Sequence, residues 1–253
     1  MAISTFQRRE VKFLMSLEQY QALLPIVHEH MNPDQFCIDG KEYGIYNLYY
    51  DTPDNLLIRR SIAKPYYKEK LRLRSYYSPA NPDSTVFLEV KKKIGGIVTK
   101  RRVTMTVAEA EAYIQTRVKP YYERFLDQQI MKEMDVFLNC YDSVAPRQYI
   151  SYQRSAFFGK DDSNFRLTFD RALTERRHDL TLTKGSYGNL IIGDDQRLME
   201  IKVPGSIPMW MSKALSEIGI RRTSFSKYGR AYQNYVLQQT VNRPQEERKM
   251  IYA

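Results

Sequence analysis

Residues 68–76 read KEKLRLRSY, and this stretch decides how the chain folds. Side chains of a β-strand point alternately to its two faces. One face of this stretch therefore carries Lys68, Lys70, Arg72 and Arg74, and the other carries its two leucines. The pattern predicts a strand with one basic face and one apolar face.

The same alternation recurs in the stretches 7–15, 85–93, 97–105, 164–170 and 197–205. Counted with the first stretch, the basic side chains on these faces are Arg8, Lys12, Lys68, Lys70, Arg72, Arg74, Lys91, Lys93, Lys100, Arg102, Arg166 and Lys202. The acidic side chains beside them are Glu10, Glu89, Asp170 and Glu200. Any one strand of this kind is usually just exposed to solvent on its polar face. A solvated surface mixes both signs of charge, however, and so many like charges repel unless an anion neutralises them. We therefore predict an inward basic face that binds a polyanion.

The fold class that accommodates such a face is α+β, an antiparallel β-barrel tunnel with peripheral helices. We expect one domain over residues 1–241 and a polar tail over 242–253. The predicted strands lie near 6–14, 44–50, 67–77, 85–93, 97–105, 149–158, 164–171, 178–183 and 197–203. The predicted helices cover 16–31, 106–116, 121–139, 207–219 and 226–240.

Composition narrows the class of partner. The chain has 253 residues, a net charge of +10 and a pI near 9.4, which suits nucleic acid, phosphates or an acidic membrane surface. Cys37 and Cys140 are too few for a disulfide framework and too far apart for a CxxC metal site. Neither a secretory signal nor an apolar run of membrane-spanning length is visible, so we expect a cytoplasmic protein.

Six motifs give a more specific resemblance. They are YYDTPD at Tyr49–Asp54, KLRLRSY at Lys70–Tyr76, FLEVKKK at Phe87–Lys93, FRLTFDR at Phe165–Arg171, LMEIKVPG at Leu198–Gly205 and FSKYGRAY at Phe225–Tyr232. In this order they resemble the catalytic domain of the vacuolar transporter chaperone (VTC) complex, the polyphosphate polymerase branch of the triphosphate tunnel metalloenzymes. Arg8-x-Glu10-x-Lys12 resembles the Glu-x-Glu-x-Lys motif that opens those tunnels.

The resemblance implies an enzyme that transfers the γ-phosphate of ATP to a growing polyphosphate chain, with Mn²⁺ or Mg²⁺ bound. The residues that it implies for catalysis are Lys12, Arg72, Arg74, Lys91, Arg166 and Lys202. The resemblance also implies phosphate contacts by Lys70, Lys100, Arg102 and Lys227. The implied metal ligands are Glu200, Glu89 and Glu10. Phosphoryl transfer depends mainly on positioning and charge, so we expect no role for His28, His30 or His178.

Two positions depart from the family pattern. Arg8 replaces the first acid of the opening motif, which argues against the hydrolytic branches because these use two acids on that strand. Ser224 stands where the family has a basic residue, which removes one phosphate contact. We expect a stand-alone catalytic module whose partners are ATP and inorganic polyphosphate, with association through a separate membrane partner left open.

Three alternatives remain at this point. The first is a tunnel triphosphatase or cyclase. The second is a non-catalytic module that binds polyphosphate or inositol phosphates. The third is RNA binding, which the paired tyrosines and basic residues would suit, although a narrow tunnel admits a linear chain and excludes folded RNA. We expect no specific nucleic-acid partner.

Overall fold

The computed structural model describes residues 9–141 and 143–241. The strands in this part of the chain are β1 (Arg9–Ser16), β2 (Met31–Pro33), β3 (Tyr43–Asp51), β4 (Tyr67–Ser75), β5 (Thr85–Ile94), β6 (Ile97–Thr106), β7 (Ala145–Gly159), β8 (Arg166–Arg176), β9 (Asn189–Leu190), β10 (Gln196–Val203) and β11 (Arg222–Thr223). The helices are α1 (Leu17–His30), α2 (Leu56–Ile62), α3 (Val107–Thr116), α4 (Phe125–Asn139), α5 (Met209–Glu217) and α6 (Lys227–Val241).

Two capping boxes start helices directly after strands. The Ser16 hydroxyl accepts a hydrogen bond from the backbone N–H of Gln19, and the Gln19 side chain accepts one from the N–H of Ser16. Thr106 and Glu109 form the same reciprocal pair. Each box satisfies two backbone donors that the first turn leaves without helical partners. The predicted starts of α1 and α3 are confirmed.

The strands form one antiparallel sheet in the order β11-β1-β10-β8-β7-β3-β4-β5-β6, with β2 beside β7 and β9 beside β8. The α+β class and the basic concave sheet with helices around it are confirmed. The sheet differs from the expected closed barrel, because no ladder of hydrogen bonds joins β6 to β1 or β11 within the described chain. The sheet curves strongly but stays open between β6 and the edge formed by β1 and β11.

The convex face of the sheet carries two hydrophobic layers. Under β4, β5 and β6, strand residues such as Leu71, Leu88 and Val103 pack against α3 and α4. Under β1, β8 and β10, residues such as Phe13 and Ile201 pack against α1 and α5. Because these apolar faces are buried beneath the helices on the convex side, the charged faces of the same strands point inward.

A third hydrophobic cluster lies on the concave side, at one end of the sheet. Here α2 and α6 pack against inward-facing strand residues such as Tyr49 and Leu198. Tyr228 of α6 stacks on Tyr49 with ring centroids 4.6 Å apart, and its hydroxyl donates a hydrogen bond to buried Asp51. The C-terminal helix therefore fills part of the space that the sheet encloses.

Some predicted elements differ from the structure. The strand expected over 178–183 is wrong, because this segment is an irregular loop. The buried guanidinium of Arg176 accounts for the loop, since it donates hydrogen bonds to the backbone carbonyls of Asp179, Thr181 and Gly185. In a strand, such carbonyls would accept hydrogen bonds from a neighbouring strand instead. Helix α4 starts at Phe125 rather than at 121, and α2 and the short strands β2, β9 and β11 were not predicted. Arg8 and the tail over 242–253 lie outside the described residues.

Candidate functional site

The register of the sheet places the predicted strand residues on one face. Directly opposed residues point to the same side of an antiparallel sheet. The opposed pairs of predicted site residues are Glu10 with Lys202, Lys12 with Glu200, Lys202 with Arg166, Arg72 with Glu89, Glu89 with Arg102, Lys70 with Lys91 and Lys91 with Lys100. Arg74 lies on this face opposite Asn47, and Lys227 reaches it from α6.

The curvature of the sheet brings strands together that are not neighbours in it. Burial alone would raise the pKa of Glu10 on β1, but Lys12 and, from the distant strand β5, Lys91 lower it. Lys12 of β1 helps to lower the pKa of Lys70 on β4. These interactions cross the interior, so the charged face is concave and its side chains surround a common space.

One centre of this face forms around Glu89, which is 1% exposed. Its carboxylate lies 2.6 Å from Nε of Arg72 and 2.7 Å from Nζ of Lys100. Arg102 and Arg74 follow at 3.7 and 4.0 Å. Burial alone would raise the pKa of Glu89, but the surrounding charges outweigh it and lower the pKa to about 2. Glu89 therefore stays ionised and holds the guanidinium groups in place.

A second centre forms around Asp170 and Glu200. Nζ of Lys227 lies 2.6 Å from Asp170 and 3.1 Å from Glu200. Arg154 donates two hydrogen bonds to Asp170, at 2.6 and 2.8 Å. Burial would lower the pKa of Lys227, yet the two carboxylates outweigh it and raise that pKa. Two buried acids are thus neutralised mainly by two buried bases.

Helix α6 places Lys227 in this centre through the local sequence Ser226-Lys227-Tyr228-Gly229. The Ser226 hydroxyl accepts a hydrogen bond from the N–H of Gly229, which caps the first turn. A Cβ at Gly229 would lie 3.2 Å from the Ser226 side chain, so the glycine suits the tight approach. The cap aims the lysine into the sheet rather than toward solvent.

Sequence reasoning missed Arg154, and it counted Asp170 among the acids of the basic face without naming it as a site residue. Arg154 lies opposite Asp170 across β7 and β8, so the two side chains share the concave face. In the sequence, Arg154 is one charge in a stretch of tyrosine, serine and glutamine, without the repeated bases that marked the other strands. The available signal was that Arg154 lies two residues after Tyr152, which predicts that both side chains share one face of the strand. In the structure the guanidinium of Arg154 lies over the ring of Tyr152.

A cavity of about 690 Å³ opens beside the second centre, between the sheet and the segment that links β2 to β3. Arg166, Thr168, Glu200 and Lys202 line it. Within the described chain, neither Arg166 nor Lys202 forms an ion pair, and the buried Thr168 hydroxyl has no hydrogen-bond partner. These groups remain available to an anion that enters the cavity.

The carboxylates differ in how well they suit a metal ion. Nζ of Lys12 lies 3.2 Å from Glu10 and 3.3 Å from Glu200, so these two acids converge on one positive charge. Glu89 already contacts four basic side chains. Among the described residues, no group of three or more His, Cys, Asp or Glu side chains is arranged to hold a metal ion.

A curved antiparallel sheet with a basic inner face and outer helices defines the triphosphate-tunnel class of protein. A family model described as the VTC domain matches residues 7–236, and the chain belongs to this family. A search of curated proteins found no match.

A solved structure with a TM-score above 0.5 shows the same fold at low sequence identity. A protein from Bacillus halodurans that is provisionally described as an adenylate cyclase is 15% identical, with a TM-score of 0.51. The match covers 86% of this chain and 92% of that one. An adenylyl cyclase candidate from Hippeastrum, described as having a dominant triphosphatase activity, is 14% identical with a TM-score of 0.49. That match covers 89% of this chain and 95% of the other.

Membership of the VTC family supports an enzyme that acts on triphosphates or on polyphosphate, whereas the solved structures bear on the fold alone. The basic concave face agrees with substrates of this kind, because phosphate oxygens bind guanidinium and ammonium groups well. In the described part of the chain, no helix is both long and apolar enough to cross a membrane.

Proposed function

We propose that this protein is a polyphosphate polymerase that transfers the γ-phosphate of ATP to the end of an inorganic polyphosphate chain. The observation that carries the proposal is the chemistry of the concave face. Its acids are already engaged by bases, as at Glu89 and Asp170, and the described residues place no histidine there. A water nucleophile needs a general base to take its proton, whereas a terminal phosphate is already ionised at neutral pH and needs none.

In the proposed reaction, a terminal oxygen of the polyphosphate forms a bond to the γ-phosphorus of ATP. The bond from that phosphorus to the β–γ bridging oxygen breaks, and the electron pair leaves with ADP. We assign to Arg72, Arg74, Lys91 and Arg166 the stabilisation of the charge that spreads over the transferred group. Fixed positive charges of this kind stabilise the transition state more than the ground state.

We further propose that Glu200 and Glu10 would hold a divalent cation, Mn²⁺ or Mg²⁺, with oxygens of the bound phosphates completing the ligands that these two carboxylates do not supply alone. Both carboxylates contact the ammonium of Lys12, which means that their oxygens are directed at a common positive group. Carboxylate oxygens are the ligands that these ions prefer. When bound, the cation neutralises charge on the phosphates. Lys202 and the hydroxyl of Thr168 border the same cavity and orient the phosphates beside it.

The test incubates purified protein with ATP and Mn²⁺, resolves the products on a polyacrylamide gel stained for polyphosphate, and quantifies ADP. Lys202→Ala and Glu200→Ala are compared with Lys213→Ala, which removes an exposed charge on α5. We expect a ladder of long chains, one ADP per added phosphate, and loss of both products in the first two variants alone. Free phosphate without a ladder would identify a triphosphatase, and bound polyphosphate without turnover would identify a binding module.

A further inference from the structure

Strands β4, β5 and β6 continue together beyond the end of β3. Leu71 is the first residue of β4 that pairs with β3, where it lies opposite Tyr50. Residues 67–70 of β4 precede this pair and lie beside β5 in the described ladders. Four residues of a strand advance about 13 Å, so the β5–β6 turn stands well beyond the end of β3.

The end of this three-stranded segment carries exposed apolar side chains. Tyr67, Ile94 and Ile97 are directly opposed across the three strands, so they form one row on the convex face. Their exposed fractions are 42%, 45% and 54%. Val98, on the other face, is 48% exposed, and Tyr66, just before β4, is 77% exposed. We call Tyr66, Tyr67, Ile94, Ile97 and Val98 the apolar tip.

The apolar tip lies outside the hydrophobic core. Further along the convex face, the opposed pair of Leu71 and Val90 is buried in the cluster that includes α4. Between that pair and the tip lie Glu69 and Lys92, which form an ion pair at 3.9 Å. A polar row therefore separates the tip from the core, and the cover that α4 provides ends before the tip begins.

The turn holds Tyr66 in place. Gly95 and Gly96 have φ angles of 53° and 94°, in the left-handed region that favours glycine. The N–H of Gly95 donates a hydrogen bond of 3.0 Å to the carbonyl of Tyr66. A Cβ at Gly95 would lie 2.9 Å from the hydroxyl oxygen of Tyr66, so this ring lies directly against the turn. An exposed side chain that is already ordered loses less entropy when it binds a partner.

The charge around the apolar tip has one sign. Residues 90–108 contain six basic side chains and no acid. The bases are Lys91, Lys92, Lys93, Lys100, Arg101 and Arg102. Lys64 is also exposed, two residues before Tyr66. A second exposed apolar segment, over residues 118–127, differs because it contains two acids as well as two bases. The apolar tip thus combines exposed apolar surface with charge that suits an anionic partner.

The size of the tip favours a bilayer over a protein as this partner. A stable protein interface takes about 800 Å² and about 20 residues from each side, and five side chains at the end of a hairpin supply much less. A bilayer accepts a small apolar group at its interface, and anionic headgroups attract the neighbouring bases. Tyrosine rings are enriched at this interface because they are apolar with one polar end.

We propose that the apolar tip inserts into the headgroup region of a lipid bilayer that contains anionic lipids. The bases of the β5–β6 hairpin attract the surface, and Tyr66, Tyr67, Ile94, Ile97 and Val98 enter it. The binding does not depend on the proposed reaction, so it is tested without nucleotide.

The experiment measures cosedimentation of the purified protein with phosphatidylcholine vesicles, with and without phosphatidylglycerol, over a series of salt concentrations. The Ile94→Ser/Ile97→Ser variant is compared with Val118→Ser/Phe125→Ser, which removes exposed apolar side chains from the second segment. Both variants keep every charge. We expect wild type and the control to bind the vesicles that contain phosphatidylglycerol, more weakly as salt rises, and the tip variant to lose roughly tenfold in affinity.

Insertion has its own readout. In an Ile97→Trp variant, lipids with brominated acyl chains should quench fluorescence beyond the baseline set by Trp210, the one tryptophan of the chain. Thermal unfolding checks that both tip variants fold. Unchanged vesicle binding by Ile94→Ser/Ile97→Ser would show that charge alone holds the protein to the surface and would overturn the proposal. Absence of wild-type binding to anionic vesicles, or quenching no greater than the baseline, would overturn it as well.

Discussion

The ammonium nitrogen of Lys227 lies 2.6 Å from the Oδ2 atom of Asp170. This contact joins the first turn of the C-terminal helix to the middle of the sheet. Asp170 is fully buried, and Lys227 is only 9% exposed in its side chain, so the pair forms where water does not screen it. Helix α6 is thus connected to the concave face by charge as well as by the stack of Tyr228 on Tyr49.

Lys227→Met should destabilise the protein and abolish its reaction. The substitution keeps an unbranched side chain but leaves Asp170 and Glu200 short of positive charge. We expect a loss of about 3 kcal/mol in the free energy of unfolding, measured by urea denaturation, because removal of one partner leaves a buried charge without its counter-charge. The Lys227→Met/Asp170→Asn double variant should lose less than the sum of the two single variants. Strict additivity would show that the pair is not coupled.

Glu89→Gln should alter how stability depends on pH. The pKa of Glu89 is 4.5 in an ordinary environment and about 2 in the folded protein. A lowered carboxyl pKa contributes stability that is complete above the ordinary value and is lost as pH falls through the folded value. The difference between wild type and Glu89→Gln in urea midpoint should therefore be large at pH 7 and shrink between pH 5 and pH 2. Glu217→Gln, at an exposed site, should show no such trend.

Lys70 should couple anion binding to proton uptake near neutral pH. Burial, together with the charges of Lys91, Lys68, Lys12 and Arg72, lowers its pKa to about 7. Its ammonium also donates a hydrogen bond to the Ser226 hydroxyl and lies over the ring of Tyr228. A bound phosphate favours the charged lysine, so binding above pH 7 should take up as much as about one proton. Affinity should fall as pH rises through and above 7. Calorimetry in buffers of different ionisation enthalpy measures this uptake.

The free protein should show the opposite trend from the same residue. Between pH 7 and pH 10 the unfolded chain holds a proton on Lys70 that the folded protein releases, so the free energy of unfolding contributed by this residue rises with pH. Lys70→Met should remove both the proton uptake and this slope. Uptake that persists in the variant would assign it to another group.

Arg154→Lys should weaken the reaction although it keeps the charge. The guanidinium of Arg154 makes two hydrogen bonds to Asp170, and a lysine ammonium cannot reproduce this planar, bidentate geometry. We expect a loss of about tenfold in kcat/KM for ATP and about 1 kcal/mol in the free energy of unfolding. Arg171→Lys is the matched control, because Arg171 contacts Glu42 at the exposed surface, where the effect on stability should stay below about 0.5 kcal/mol.

The amino-acid sequence by itself determined which strands form the concave face and what that face is made of. Period-2 alternation in stretches such as 68–76 assigns each basic side chain to one side of a strand, because successive side chains must point in opposite directions. The capping boxes at Ser16 and Thr106 likewise fix where helices begin, since they act within four residues. These features are local, so a linear pattern is enough to predict them.

The tertiary structure decided which charges meet. Lys12 bridges Glu10 and Glu200, Arg154 pairs with Asp170, and β6 leaves the sheet open, through contacts between segments far apart in the chain. Such contacts depend on strand register and on the curvature of the sheet, which together set the distances between side chains. The alternation of the sequence predicts only the face of the sheet to which each side chain points. The energy of a charge pair changes steeply with distance and burial. Which basic side chains contact a buried acid, as Lys227 does, and which form no ion pair in the described chain, as for Lys202, therefore followed from the folded sheet.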